Sequence, residues 1–207
     1  MYKELANRIT NTLIKKSIIC KDQRDLCLYG FEILISSLFY FIVFLLCSVL
    51  SKTIFPSFIF WLGLFIFRKI AGGHHSKTYT ACHILFALNH IAFIIFVKFI
   101  KAELYSSIIY TIFTIAIISL VFIAPVDHKN KPFIGAEYIR FRYLSIIYCL
   151  AITLILGLLI IKIIPPSIYV FSYSIGTLSA SISLLIGKIT RKKETKKEEL
   201  NYEKTIS

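Results

Sequence analysis

The chain has 207 residues, 57% of them hydrophobic and 17% charged, with a formal net charge of +13. Soluble domains of this size carry about 25% charged residues, so the composition excludes an ordinary water-soluble domain. The positive charge does not point to nucleic acid, because the cations sit between long apolar blocks in a pattern that membrane topology explains.

In chain order, residues 2–19 come first. Leu5, Ile9, Leu13 and Ile18 fall near one helical face, with Lys3, Arg8, Lys15 and Lys16 mostly off it. This spacing predicts an amphipathic helix lying on the inner leaflet. No removable signal peptide is expected, since the start is polar and mixed and the apolar run after it is too long and lacks a small-residue cleavage site. Six apolar runs follow, at about 33–50, 53–67, 84–99, 104–126, 144–161 and 166–186. Backbone groups in lipid must pair within their own segment, so each run is expected as a helix. The second run is short: it would reach about 22 Å against a hydrocarbon core of roughly 30 Å. The expected fold is therefore all-α, a polytopic integral membrane protein of about six spans. Residues 1–190 form one domain and residues 191–207 a charged tail, with no internal repeat and no linker.

Lysine and arginine set the orientation. With the N-terminus in the cytoplasm and each run crossing once, 20 of the 24 fall on the cytoplasmic side. The exceptions are Lys52, Lys98, Lys101 and Lys162. Both termini are therefore expected inside. The tail mixes seven Lys/Arg with four Glu from residue 188 onward and is read as a solvated or headgroup-facing end.

Five cysteines, Cys20, Cys27, Cys47, Cys82 and Cys149, make an odd count with no C-x-x-C pair. Cys47 and Cys149 lie inside apolar runs, and the other three fall on the side where thiols stay reduced. A disulfide framework is not expected, which leaves room for a free nucleophilic thiol.

The segment with chemical content is residues 68–83, RKIAGGHHSKTYTACH, which joins the second and third runs. It holds three of the five histidines, the pair Gly72-Gly73, and Cys82. The glycines free the backbone to turn. A thiol in the first turn of the following helix is favoured as thiolate by the positive end of the dipole. His75 and Cys82 are seven residues apart; on a continuous helix their α-carbons would be about 10.5 Å apart, beyond hydrogen-bond reach. A working Cys/His dyad therefore needs a bend or one partner outside the helix. His74 competes with His75 on spacing, whereas His83 would point about 100° away from Cys82 on a helix. A metal site from His74, His75, Cys82, His83 or His90 is the weaker alternative, lacking H-E-x-x-H or paired-Cys spacing. His90, inside the third run, reads as a helix–helix hydrogen-bond donor. Asp127 could orient His75, but a solvated loop carboxylate is the favoured reading.

The pattern Arg68-x4-Gly73-x-His75-x6-Cys82 resembles the signature of the AgrB family, the accessory gene regulator B membrane peptidases of Gram-positive bacteria. Lys77, the segment Ala124-Pro-Val-Asp-His-Lys-Asn-Lys-Pro132, the six spans and the amphipathic start match as well. The second imidazole, His74, is a departure from the pattern. The resemblance implies a cysteine peptidase that processes an AgrD-type pro-peptide into a cyclic quorum-sensing autoinducer. Cys82 would be the nucleophile and His75 the general base. It further implies no cofactor, a homodimer and a cell-membrane location. Arg68 is a candidate anchor for a substrate carboxylate. Gly73 and Lys77 support the site, and Lys129, Lys131, Arg140 and Arg142 could hold the acidic tail of the substrate against the alternative of binding anionic lipid. The expected partners are the pro-peptide and lipid, and not nucleic acid.

Two other classes compete. A peptide transporter would need ionisable groups or broken helices at mid-membrane, and only Asn89, His90 and a few glycines hint at them. A non-catalytic membrane subunit explains the topology but leaves the Gly-Gly-His-His…Cys segment without a purpose.

Overall fold

The computed structural model describes residues 2–72, 79–127, 133 and 135–206. It holds seven α-helices among the described residues: α1 (Tyr2–Lys15), α2 (Arg24–Leu50), α3 (Ile54–Ala71), α4 (Tyr79–Phe99), α5 (Tyr105–Phe122), α6 (Glu137–Ile160) and α7 (Ile168–Ile206). No strand is present among them. Six stretches are long and apolar enough to cross a membrane, in α2 to α7. This is the polytopic all-α architecture expected from the apolar runs, and the chain is a multi-pass membrane protein.

Helix ends depart from the apolar runs where polar residues continue a helix or a proline stops one. The second span lengthens through Arg68 to Ala71, giving α3 about 27 Å at 1.5 Å per residue. The fourth stops at Phe122, short of the expected 126, ahead of a cis Ala124-Pro125 bond. Proline has no N–H to continue the ladder. In α6 the helix starts at Glu137 and takes Arg140 and Arg142 into its first turns. The last helix runs on through the charged residues to Ile206.

The chain divides into two compact units. One comprises residues 1–52 and 76–91, that is α1, α2 and the first half of α4. Here α1 docks on α2, with Arg24 donating to Asn7 Oδ1 at 3.1 Å. The stripe this docking covers is Ala6 and Thr10, both fully buried, while Leu5 is 48% exposed and Ile18 lies beyond the helix end. The face of α1 packed on α2 is thus a different one from the Leu5–Ile9–Leu13 face expected toward the inner leaflet, and its small side chains let α1 approach its neighbour. Between α2 and α4, Tyr40 packs on Phe86 and Phe44 on His90. Ser48 Oγ donates to the Phe44 carbonyl (2.8 Å) and lies 3.4 Å from His90 Nε2, which leaves the imidazole as donor to the hydroxyl. His90 is thus a helix–helix hydrogen-bonding group, as expected.

The other unit comprises residues 53–75 and 92–207. Its centre is α3 against α7, flanked by α5 and α6. Phe60, Phe67, Phe93, Phe113 and Phe171 are fully buried there, with Phe60 stacked on Phe93 at 4.3 Å between centroids. The close approach of α3 and α7 requires Gly63 and Gly176. A Cβ on Gly63 would lie 2.5 Å from the Tyr173 carbonyl oxygen, and one on Gly176 would overlap the Phe60 carbonyl. Small residues at such crossings are how membrane helices associate, since lipid supplies no hydrophobic drive between them.

Candidate functional site

Among the expected site residues, Arg68 and Cys82 are described, while Gly73, His75 and Lys77 lie outside the described residues, as do His74, Lys129 and Lys131. Cys82 is the fourth residue of α4 as described, half-buried and not in a disulfide. Unpaired backbone amides at a helix start carry partial positive charge, which favours an anion there. The apolar run of α4 starts at Ile84, two residues after Cys82. The thiol therefore stands at the boundary between the polar connection and the apolar span.

Within its unit Cys82 has an aromatic residue of α2 nearby. The Tyr40 phenol lies within electrostatic range of the Cys82 and Cys47 thiols. The His83 ring stacks on Tyr40, with centroids 5.7 Å apart and an interplanar angle of 17°. Neither His83 nitrogen has a hydrogen-bond partner among the described residues, and both are buried. His83 is thus engaged with Tyr40. The Tyr40 contact was not anticipated; a phenol inside an otherwise apolar first run was the available signal. Among the described residues no group of three His, Cys, Asp or Glu side chains could hold a metal ion.

Arg68 is half-buried in the last turn of α3, and its carbonyl accepts the Gly72 N–H at 3.0 Å. Gly72 leaves α3 at φ 82°, ψ −152°, a conformation open to glycine and strained for other residues. It pairs with Val126 in a single parallel bridge, in which the Val126 N–H donates to the Ala71 carbonyl at 3.0 Å. A Cβ at Gly72 would overlap the Val126 carbonyl oxygen. The chain leaving α5 thereby touches the backbone three residues before His75.

The cations near this end have specific partners. Arg142 was expected to join a cluster holding a substrate tail, but its guanidinium donates to the carbonyls of Leu120 (3.2 Å), Val121 (2.9 Å) and Ala124. Lys188 Nζ donates to the Phe122 carbonyl at 3.4 Å. These are carbonyls that the end of α5 leaves unpaired, at the negative end of its dipole. Arg142 is committed to closing α5. Asp127 pairs with Arg191 of α7 at 3.4 Å, so among the described residues its carboxylate has a structural partner.

Neither a curated protein nor a solved structure matches the chain. The family model for AgrB, Accessory gene regulator B, matches residues 6–186. That interval runs from α1 through most of α7 and includes Arg68, Cys82 and the bridge between Gly72 and Val126. The chain belongs to the AgrB, accessory gene regulator B, family, which is involved in autoinducer processing and whose substrate is an AgrD pro-peptide.

Proposed function

We propose that the chain is a membrane cysteine endopeptidase of a Gram-positive cell that cuts the C-terminal tail from its pro-peptide and hands the remainder on to ring closure. The observation that carries this reading is the position of Cys82, half-buried in the first turn of α4 and two residues ahead of the apolar run that starts at Ile84. The lysine and arginine distribution supports a cytoplasmic location for both termini and the segment 68–83, and the enzyme works as a homodimer.

In the proposed reaction His75 takes the proton of Cys82, and the thiolate attacks the peptide carbonyl at the end of the signal region. The C–N bond breaks, the leaving amine receives the proton from His75, and the signal remains as a thioester on Cys82. A thiol or hydroxyl within the signal then attacks that thioester, closing a thiolactone or lactone and returning the proton to Cys82. A site at the membrane boundary excludes water that would otherwise hydrolyse the thioester. Lys77, Lys129, Lys131 and Arg140 supply positive charge for an acidic tail, and Arg68 supplies an anchor for a substrate carboxylate.

Co-expression with the pro-peptide followed by mass analysis of the products tests the reading. Cys82→Ala and His75→Ala should each abolish tail release while the protein stays in the membrane. The double variant should be little worse than either, because the pair acts as a unit. His74→Ala should retain activity. Release by Cys82→Ala would overturn the mechanism, and a dead His74→Ala beside an active His75→Ala would reassign the base.

A further inference from the structure

Resting on that reading, we infer that the backbone bridge between Gly72 and Val126 is the fixed point from which the His75-bearing segment departs, and that Gly72 and Val126 are positioning residues for the reaction at Cys82. Membrane crossing alone does not call for such a bridge. Among the described residues the chain forms no strand, yet at this one place it makes a sheet-type rung. It does so at a glycine whose φ of 82° and lack of Cβ are both required for the contact.

The Val126 side of the rung is itself held from both directions. Before it, the end of α5 is closed by Arg142 and Lys188. After it, Asp127 pairs with Arg191 of α7. The rung therefore ties the exit of α3 to α5, α6 and α7 together. A helix end needing only a hydrogen-bond partner for its last carbonyls could use water; a rung secured by three other helices also fixes the direction in which the chain leaves. His75 follows Gly72 by three residues, so an error of direction at Gly72 becomes an error of position at the base. Misplacement by about 1 Å can cost on the order of 100-fold in rate.

The test uses the full chain in lipid nanodiscs with synthetic pro-peptide, measuring kcat and KM for tail release together with the thermal unfolding midpoint. Replacing Val126 by its α-hydroxy analogue turns the amide into an ester, removing the N–H while keeping the side chain. The expected result is a fall in kcat of about tenfold or more, with KM within about twofold and little change in the midpoint. Val126→Ala, which leaves the backbone donor intact, should lose less kcat than the ester. Gly72→Ala should lose at least as much kcat as the ester. Asp127→Arg should lower kcat, and adding Arg191→Asp should restore it. Parental kcat in the ester variant, or a lowered midpoint with kcat unchanged, would overturn the inference and leave the rung as a helix cap. Cys82→Ala in the same assay separates the two levels. If it is dead and the ester is fully active, only the positioning role fails; if it still releases the tail, the peptidase reading fails and the positioning role falls with it.

Discussion

In the unit built from α3, α5, α6, α7 and the second half of α4, helices meet at glycines and small hydroxyl residues. Ser172, Ser174, Thr177 and Ser181 of α7 are fully buried there. In the unit built from α1, α2 and the first half of α4, aromatic rings and one Ser48–His90 hydrogen bond join α2 to α4. The α7 span differs most: half of the apolar window in Ile168–Lys193 is buried, against 22% in Glu137–Ile160 and 17% in Lys21–Leu50 and in Cys82–Phe99. Large side chains such as Leu34, Leu38, Leu85 and Leu88 stay exposed in the latter pair. Since lipid is as apolar as leucine, exposed leucines cost nothing there, and cohesion comes from close approach and polar contacts. The candidate nucleophile thus sits on a helix with a small share of its apolar window buried inside the protein. The segment bearing its proposed base starts from the more closely packed unit.

Substitutions of similar size should separate the two kinds of packing. The largest effect is expected for Gly176→Ala, where the new methyl would overlap the Phe60 carbonyl and lie 2.9 Å from the Leu64 amide. A loss of about 3 kcal/mol in unfolding free energy is expected, the upper part of the overpacking range. An unchanged midpoint in detergent would remove the contrast altogether. Next comes Arg142→Met, which leaves the α5 carbonyls without their donor. It should cost about 1–3 kcal/mol, with Arg142→Lys recovering part of it as a single-point donor; equal stability of all three proteins would show that water closes α5 as well. For Ser48→Ala the expected loss is about 0.6 kcal/mol, the average for a hydrogen bond between membrane helices. A loss above about 1.7 kcal/mol would mean that the first unit is held by this polar contact more than by its rings. The smallest effect, of opposite sign, is expected for Gly30→Ala, whose methyl would meet nothing within 4 Å. It should stabilise by about 0.5 kcal/mol through the unfolded state. Gly157→Ala in α6, equally open, should match it. A destabilised Gly157→Ala would show that membership of the tighter unit, and not contact at the glycine, governs the cost.

The spans were readable because the bilayer forces each apolar run into a helix. Their ends were not, because helix and lipid end at different places. Arg24 and Glu32 continue α2 outside the apolar run, and Lys192 and Lys193 continue α7. The face of α1 that packs on α2 was not anticipated, because periodicity weighs large apolar residues and this face is made by Ala6 and Thr10. At the candidate site, Cys82 could be found from its neighbours in sequence and its place at the start of a span. The flexibility of Gly72 was legible too, but not its partner: nothing in the spacing says that Val126 returns to it. Arg142 was assigned by charge alone. Charge cannot distinguish a guanidinium offered to a substrate from one spent on the carbonyls of a neighbouring helix.

The Asp127–Arg191 pair also has a bearing on biosynthesis. A chain made from its N-terminus exposes Gly72 and Val126 before Arg142, and Arg142 well before Lys188 and Arg191. The rung can form once α5 has entered the membrane, but the groups that secure it arrive in order, with those of α7 last. A nascent or truncated chain lacking the final span would hold the nucleophile without the complete support for its partner segment. Order of synthesis would then act as a safeguard, delaying competence to cut peptides until the last helix has been inserted.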